Sequence, residues 1–144
     1  MIVIRKIPEQ AKDLVKKYES LRLKRYICPA GYPTIGWGHV LRDDTKSINV
    51  ESAIQFLEED LKKSALSVLR LTKVSLSDNQ YSALISFVFN LGGGAYQRST
   101  LRMKLNREDY IGASKEFKKW CRAGNEILNG LVNRRKEEAE LFLA

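Results

Sequence analysis

Apolar positions recur at helical spacing along most of the chain. The segment IPEQAKDLVKKYESLRL, with Pro8 near its start, carries apolar side chains on one helical face: Ala11, Leu14, Val15, Tyr18 and Leu21. A longer helix is predicted over NVESAIQFLEEDLKKSALSVLRL, with Asn49 as its cap and an apolar stripe at Ala53 or Ile54, Leu57, Leu61, Ala65 and Val68. Both segments therefore predict amphipathic helices that bury one face.

The second half of the chain also predicts helices. The segment LSDNQYSALISFVFN is apolar enough for a nearly buried helix, and Ser77 with Gln80 forms a capping box at its start. The LGGG that follows predicts its end, because glycine readily adopts the left-handed conformation at a helix C-terminus. Shorter helices fit residues 99–105 and 110–121, and a last one fits residues 131–143.

Residues 26–39 break the helical pattern. Turn-forming residues punctuate short β-prone pieces such as YI and TIGW: Pro29, Gly31, Pro33, Gly36 and Gly38. This composition predicts a small twisted hairpin or a three-stranded sheet. The predicted fold class is therefore α+β and mostly helical, with one short β region.

Length and charge narrow the choice of partners. A chain of 144 residues fits one domain with a substantial core. The formal net charge is +8, and residues 1–25 hold eight Lys or Arg against three acids, while residues 98–144 hold eleven against seven. Such a charge indicates an anionic partner, and nucleic acid, anionic lipid and anionic bacterial wall polymers all fit it. The basic residues lack the aromatic interleaving or helix-turn-helix spacing that favours DNA.

The remaining compositional features exclude several classes. Two cysteines, Cys28 and Cys121, are too few for a disulfide scaffold. No signal peptide is expected, since the apolar start of MIVIRKIPEQ is short. No membrane span is expected either, because no apolar run reaches a length of about 18 residues. His39 is the only histidine, which excludes a multi-histidine metal site, and no cofactor or metal is expected.

Glu19, Cys28 and Thr34 are the residues that offer chemistry. Glu19 stands where the first predicted helix runs into the β region, and a carboxyl among apolar neighbours at such a junction is suited to general-acid catalysis. A helix end followed by a tight hairpin can bring all three side chains around one cleft. That cleft would supply a proton donor, a group on the opposite side and a hydroxyl that orients water, which is the layout of glycosidic bond cleavage.

Taken singly, each of these residues also fits an ordinary structural role. Glu19 fits a solvated helical glutamate, Cys28 a small buried residue and Thr34 a strand residue. A dyad of Cys28 with His39 is a rival interpretation, because cysteine peptidases and amidases need such a pair. The favoured interpretation of GWGH is a structural histidine that bonds to the turn backbone.

The order Glu19, eight residues, Cys28, five residues, Thr34 resembles the catalytic triad of phage-type lysozymes, glycoside hydrolase family 24, in which the middle residue is Asp or Cys. YESLRLKRY is similar to the family's helix end, and PTIGWGH is similar to its hairpin. Further segments follow the family's central helix and later course: SDNQYSALISFVFNLG, STLRMKLN and GLVNRRKEEAELFL. The resemblance covers nearly the whole chain in the right order.

The resemblance implies one lysozyme-like domain over residues 1–144 with two lobes. A small β lobe would span about residues 22–50, and a connecting helix would span about residues 50–71. The helical lobe would comprise residues 72–144 together with the N-terminal helix. The cleft between the lobes would bind glycan strands of peptidoglycan.

The implied reaction is hydrolysis of the β-1,4 bond between N-acetylmuramic acid and N-acetylglucosamine, for host cell lysis. Glu19 would protonate the leaving oxygen, Cys28 would take the place of the family's nucleophile or base, and Thr34 would help to hold the attacking water. The best-known members carry an aspartate that is ionised at neutral pH, whereas a thiol is mostly protonated there. The same correspondence marks four substrate-binding residues: Val40, Phe89, Ser99 and Thr100.

Two other functions remain open, namely a lytic transglycosylase on the same substrate and a non-catalytic basic module that binds the wall. The expected partners are peptidoglycan and anionic cell-wall polymers, with no nucleic acid and no stable membrane insertion. A monomer is expected. The chain is expected to be made in the host bacterial cytoplasm and to reach the wall after release through another factor.

Overall fold

Seven α-helices and two small antiparallel sheets form residues 4–144, the part of the chain that the computed structural model describes. The first three residues lie outside the described residues. The predicted domain and its short apolar start both begin with them. The helices are α1 (Glu9–Tyr18), α2 (Val50–Leu71), α3 (Asp78–Leu91), α4 (Gly93–Arg98), α5 (Thr100–Asn106), α6 (Tyr110–Glu116) and α7 (Asn129–Leu143). The strands are β1 (Arg22–Ile27), β2 (Pro33–Gly36), β3 (His39–Val40), β4 (Arg122–Ala123) and β5 (Glu126–Ile127).

Helix α3 lies at the centre of the helical region. It packs against α1, α2, α4 and α7, and every residue from 81 to 88 is buried. Its start is the predicted capping box, because the Ser77 hydroxyl accepts from the Gln80 amide at 3.0 Å and the Gln80 side chain accepts from the Ser77 amide at 2.9 Å. The prediction of a nearly buried central helix is confirmed.

Helix α2 joins the β region to the helical region. Asn49 caps it as predicted, since its side-chain oxygen accepts from the Ser52 amide at 2.8 Å. The predicted apolar stripe is buried and comprises Ala53, Leu57, Leu61, Ala65 and Val68. Ile54, the alternative to Ala53, is 39% exposed. The helix packs on both β2 and α3, so it fixes the sheet relative to the helices.

Helix α1 is shorter than the segment that predicts it. It ends at Tyr18, and β1 begins at Arg22, so Leu21 lies outside the helix and is 38% exposed. Arg22 pairs with Gly36 of β2, and this strand pairing overrides the helical spacing of Leu21. The predicted three-stranded sheet is confirmed, with antiparallel order β1-β2-β3.

Three elements of the second half differ from the predicted pattern. Gly92 ends α3 with a φ of +90°, as LGGG predicts, and Gly93 begins the short helix α4, which none of the predicted helices covers. The helix predicted over residues 110–121 ends at Glu116 and passes through a 3-10 turn, Phe117–Lys119, into the β4–β5 hairpin. This hairpin places the start of α7 two residues earlier than predicted, at Asn129.

Candidate active site

The Glu19 carboxyl lies where the chain leaves α1 for the sheet. Its Oε2 atom accepts a hydrogen bond from Nη1 of Arg134 on α7 at 2.7 Å. The Arg134 side chain is 3% exposed and the Glu19 side chain is 19% exposed. Because a charge-assisted hydrogen bond from a buried guanidinium fixes a carboxylate, Glu19 has one defined orientation and stays accessible.

Gly38, in the turn between β2 and β3, closes over the other side of Glu19. Its φ is +71°, in the region that favours glycine. A Cβ atom added there would stand 2.6 Å from Glu19 Oε1 and 3.0 Å from Glu19 Cδ. Only glycine therefore lets the turn approach the carboxyl this closely.

Cys28 and Thr34 meet at the turn between β1 and β2. The turn is closed by two backbone hydrogen bonds, from Cys28 to the Tyr32 carbonyl at 2.9 Å and from Gly31 to the Cys28 carbonyl at 2.8 Å. Burial raises the pKa of the Cys28 thiol, but hydrogen bonds from the Tyr32 amide, the Thr34 hydroxyl and the Ala30 and Gly31 amides outweigh burial and lower the pKa overall. The turn therefore favours the thiolate.

The Thr34 hydroxyl connects the thiol to the backbone. Thr34 is 2% exposed, and its hydroxyl donates to the Tyr32 carbonyl at 2.8 Å. A hydroxyl carries one proton, so Thr34 donates either to this carbonyl or to the Cys28 sulfur, and it accepts from a protonated thiol. Cys28 and Thr34 together can hold a small polar molecule such as water and exchange a proton with it.

Tyr26 links Glu19 with Cys28. Burial raises the pKa of the Tyr26 hydroxyl, the charge of Glu19 raises it further, Arg22 lowers it, and Cys28 also raises it. The acid and the thiol therefore lie within electrostatic range of one phenol. A cleft of about 380 Å³ opens beside Glu19 and Tyr26, and α1, the sheet, α3 and α7 all contribute to its lining: Tyr18, Glu19, Ser20, Arg22, Tyr26, Pro29, Asn90, Leu128, Gly130, Leu131 and Arg134. Cys28 and Thr34 are not among its lining residues.

A second cavity, of about 560 Å³, lies between β3, α2 and the end of α3. Val40 and Phe89 both line it, so the structure brings two of the predicted substrate-binding residues together. Ser99 and Thr100 lie elsewhere, at the start of α5. Ser99 is 5% exposed and caps α5 by accepting from the Arg102 amide at 3.0 Å. A substrate contact for Ser99 or Thr100 stays a prediction.

His39 ties the sheet to α2. Its Nδ1 atom lies 2.7 Å from Oδ2 of Asp60, and its ring stacks on Phe56 with 4.0 Å between the ring centroids. The partner is thus a carboxylate on α2 and not the turn backbone that the sequence favours. Within the part of the chain that the structure describes, no hydrogen bond joins His39 to Cys28.

The hydrophobic pattern misses the contribution of α7 to the site. Arg134, Arg135 and Glu138 are buried, although a run of charged residues in a terminal helix is typical of a solvated face. Arg134 is anchored on α3, where its Nη2 donates to the Ser86 carbonyl at 3.1 Å. The sequence does hold one signal of this burial. Glu138 follows Arg134 by four positions and Arg135 by three, and side chains at these spacings can pair with one another on one face of a helix.

Three further findings on the described residues concern thiols, metal ligands and membrane helices. Cys28 and Cys121 are both free thiols. Among residues 4–144, no group of three His, Cys, Asp or Glu side chains is placed to hold a metal ion. No helix in that range has both the length and the apolar character required to cross a bilayer.

The chain is similar to known proteins. The phage lysozyme family model matches residues 16–138. The endolysin of Acyrthosiphon pisum secondary endosymbiont phage 1 is 44% identical over 94% of this chain and 97% of its own length. The endolysin of Bacillus phage B103 is 38% identical over 95% of this chain, which spans 54% of that protein.

A solved structure agrees with the sequence matches. The muramidase domain of SpmX from Asticaccaulis excentricus has a TM-score of 0.88 and 30% identity, covering 97% of this chain and 99% of that domain. The predicted fold class and the predicted kind of enzyme, a glycoside hydrolase of the lysozyme type, are confirmed. The chain belongs to the phage lysozyme family.

Proposed function

We propose that this lysozyme acts as an endolysin and hydrolyses the β-1,4 bond between N-acetylmuramic acid and N-acetylglucosamine in bacterial peptidoglycan, for host cell lysis. The observation that carries the proposal is the Glu19 carboxyl, which a buried arginine holds at 2.7 Å in an open cleft. Glu19 and Cys28 both raise the pKa of Tyr26, so the acid and the thiol lie near the same phenol. Thr34 lies near the thiol and lowers its pKa.

Glu19 is the general acid in this proposal. It gives its proton to the oxygen that leaves when the glycosidic bond breaks, and it becomes a carboxylate in doing so. The Arg134 guanidinium stabilises that charge through the bond it already makes, so no side chain has to move as the charge develops. Gly38 leaves room for the carboxyl, since any side chain at that position would meet Glu19 Oε1.

Cys28 acts from the opposite face of the sugar ring, as the base or nucleophile, and Thr34 holds the attacking water. The lowered pKa of Cys28 supports this role, because the thiolate is the reactive form. The Thr34 oxygen can accept from water whether its single proton is donated to the Tyr32 carbonyl or to the sulfur. A water held by Thr34 makes the reaction a hydrolysis, whereas a transglycosylase reaction needs no activated water.

The same proposal includes the glycan contacts, the two lobes and the oligomeric state. Val40 and Phe89 contact the glycan in the second cavity, and Ser99 and Thr100 contact it further along. The glycan lies between a β lobe of about residues 22–50 and a helical lobe of residues 72–144 with the N-terminal helix, joined by residues 50–71. The enzyme acts as a monomer.

The charge of the protein also supports a role at the wall. A net charge of +8 attracts anionic wall polymers and speeds the encounter with the wall, and this attraction weakens as salt is added. Nucleic acid and stable membrane insertion have no part in the proposal. The chain is made in the host cytoplasm and reaches the wall through another factor.

The test is the loss of turbidity of permeabilised cells treated with wild type, Glu19→Gln and Glu51→Gln. Glu51 is an exposed glutamate in the first turn of α2 and serves as the matched control. We expect Glu19→Gln to lose at least about 100-fold in rate, the usual contribution of a general acid, and Glu51→Gln to match wild type. Equal rates for the two variants would contradict the proposed mechanism.

A further inference from the structure

A group of buried charges stands behind Glu19 on α7. Arg134 is 2% exposed, and Arg135 and Glu138 are 0% exposed. Arg134 bonds directly to Glu19, but the reaction as proposed assigns no task to Arg135 or Glu138. Buried charges cost free energy unless they are paired, so the pairing pattern shows what each of these side chains contributes.

Glu138 is shared between the two arginines. Its Oε2 accepts from the Ser86 hydroxyl at 2.6 Å and lies 3.4 Å from Nε of Arg134. Its Oε1 lies 2.9 Å from Nε of Arg135, an ion contact without hydrogen-bond alignment. Arg135 also donates through Nη2 to the side-chain oxygen of Asn90 at 2.7 Å.

Arg134 consequently faces two carboxylates at once. Its Nη1 is 2.7 Å from Glu19, and its Nε is 3.4 Å from Glu138. Glu19, Arg134, Glu138 and Arg135 therefore form one connected row with two negative and two positive members. A change of charge at the inner end of the row alters how strongly Arg134 attracts the Glu19 carboxylate at the outer end.

We propose that Glu138 and Arg135 are positioning residues that set how strongly Arg134 holds Glu19. This inference rests on the proposed role of Glu19 as the general acid. Burial raises the pKa of Glu138, and the charges of Arg135 and Arg134 oppose it. Burial also lowers the pKa of Arg135 to about 10, against the charge of Glu138. Each member of this inner pair is thus the counterion that favours the charged form of the other against burial.

Charged and polar side chains from every element packed around the row face its members. Those near Glu19 are Tyr18 of α1, Arg22 and Tyr26 of β1, Cys28 of the β1–β2 turn, and Arg134 and Arg135 of α7. Those near Glu138 are Tyr18, Ser86, Arg134 and Arg135. Cys121 lies near Arg135. Helix α3 contributes only the uncharged Ser86 and Asn90 to these contacts, so the row has no counterion there.

The row predicts opposite effects for its two inner members. Without Glu138, Glu19 is the remaining carboxylate on Arg134, which favours the charged form of Glu19. A general acid must begin protonated, so the alkaline limb of the pH–rate profile moves to lower pH. Without Arg135, Glu138 neutralises Arg134 more fully, and the alkaline limb moves to higher pH. We expect shifts of about one pH unit, since a direct neighbouring charge gives about 1–3 units.

The experiment measures kcat/KM against pH on purified peptidoglycan for the otherwise wild-type protein, Glu138→Gln, Arg135→Met and the double variant, all carrying Cys28→Asp so that both catalytic groups are carboxyls and the alkaline limb reports the acid. We expect a downward shift, an upward shift and a profile near wild type, in that order. Arg135→Lys keeps the charge and is expected to keep the wild-type alkaline limb. If Glu138→Gln does not fold, Asn90→Asp keeps both buried partners and adds a negative charge beside Arg135, and it is expected to shift the limb upward.

The outcomes separate this inference from the proposed function. Folded variants that lose thermal stability but keep the alkaline limb of wild type would show a purely structural role and overturn the inference. Shifts of the same sign for Glu138→Gln and Arg135→Met would overturn it as well. An active Glu19→Gln variant, assayed in parallel, would instead overturn the proposed function on which the inference rests.

Discussion

Replacing Gly38 with alanine presses one methyl group against the proposed catalytic acid. The new Cβ would stand 2.6 Å from Glu19 Oε1. A normal contact for such atoms is about 3.5 Å, so the carboxyl must move by about 0.9 Å. Arg134 holds the other oxygen of the same carboxyl at 2.7 Å, so this movement lengthens or breaks that bond.

The size of the effect follows from these distances. A displacement of about 1 Å in a reacting group costs about 100-fold in rate, and we expect that loss in kcat for Gly38→Ala. Alanine at a φ of +71° also costs about 1–2 kcal/mol in backbone energy, which lowers Tm by about 3–8 °C for a chain of this size.

The assay compares Gly38→Ala with Gly124→Ala for wall solubilisation and thermal unfolding. Gly124 has a φ of +63°, and nothing lies within 4 Å of a Cβ added there. Gly124→Ala therefore carries the same backbone cost without the contact, and we expect a similar loss in Tm with activity within about twofold of wild type. Equal activity of the two variants would refute the reasoning about Glu19.

Three further predictions concern the thiol, the histidine and a buried carboxylate. Cys28→Asp should retain activity, whereas Cys28→Ala should lose about 100-fold or more; an alanine variant as active as wild type would make Cys28 structural only. Asp60→Asn should cost about 1–3 kcal/mol in urea unfolding because it weakens the bond to His39; an unchanged midpoint would contradict this. The Lys119 hydrogen bond lowers the pKa of Glu116 against burial, so Glu116→Gln should be less stable than wild type at neutral pH, and the difference should vanish as pH falls below about 4. A difference in Tm that persists at pH 2 would refute that assignment.

Periodicity predicts the helices of this fold where one apolar face is buried. The stripe of α2 and the capping box of α3 are read directly from the chain, because the spacing of apolar residues and the cap residue are local properties. The end of α1 is not predicted by such rules. Leu21 continues the helical spacing, but the pairing of Arg22 with Gly36, a partner distant in sequence, decides the structure there.

The site shows the same division between local and distant information. The spacing of Glu19, Cys28 and Thr34 marks them by family resemblance, and the structure places the Thr34 hydroxyl near enough to Cys28 to lower the pKa of its thiol. Arg134 reaches Glu19 from the other end of the chain, and its local sequence shows only the spacing to Glu138, which does not reveal the contact with Glu19. The pairing of Asp60 with His39 is likewise not predictable from local sequence, because it depends on the packing of α2 beside the sheet.

Product analysis tests the central claim most directly, because it identifies the bond that is cut and the molecule that attacks it. Purified peptidoglycan is digested with wild type and with Glu19→Gln, reduced with borohydride and examined by mass spectrometry. We predict disaccharide–peptide fragments with reduced N-acetylmuramic acid ends from wild type and none above background from Glu19→Gln. Anhydro-muramic ends, free peptides without glycan cleavage, or identical fragments from both proteins would contradict the account.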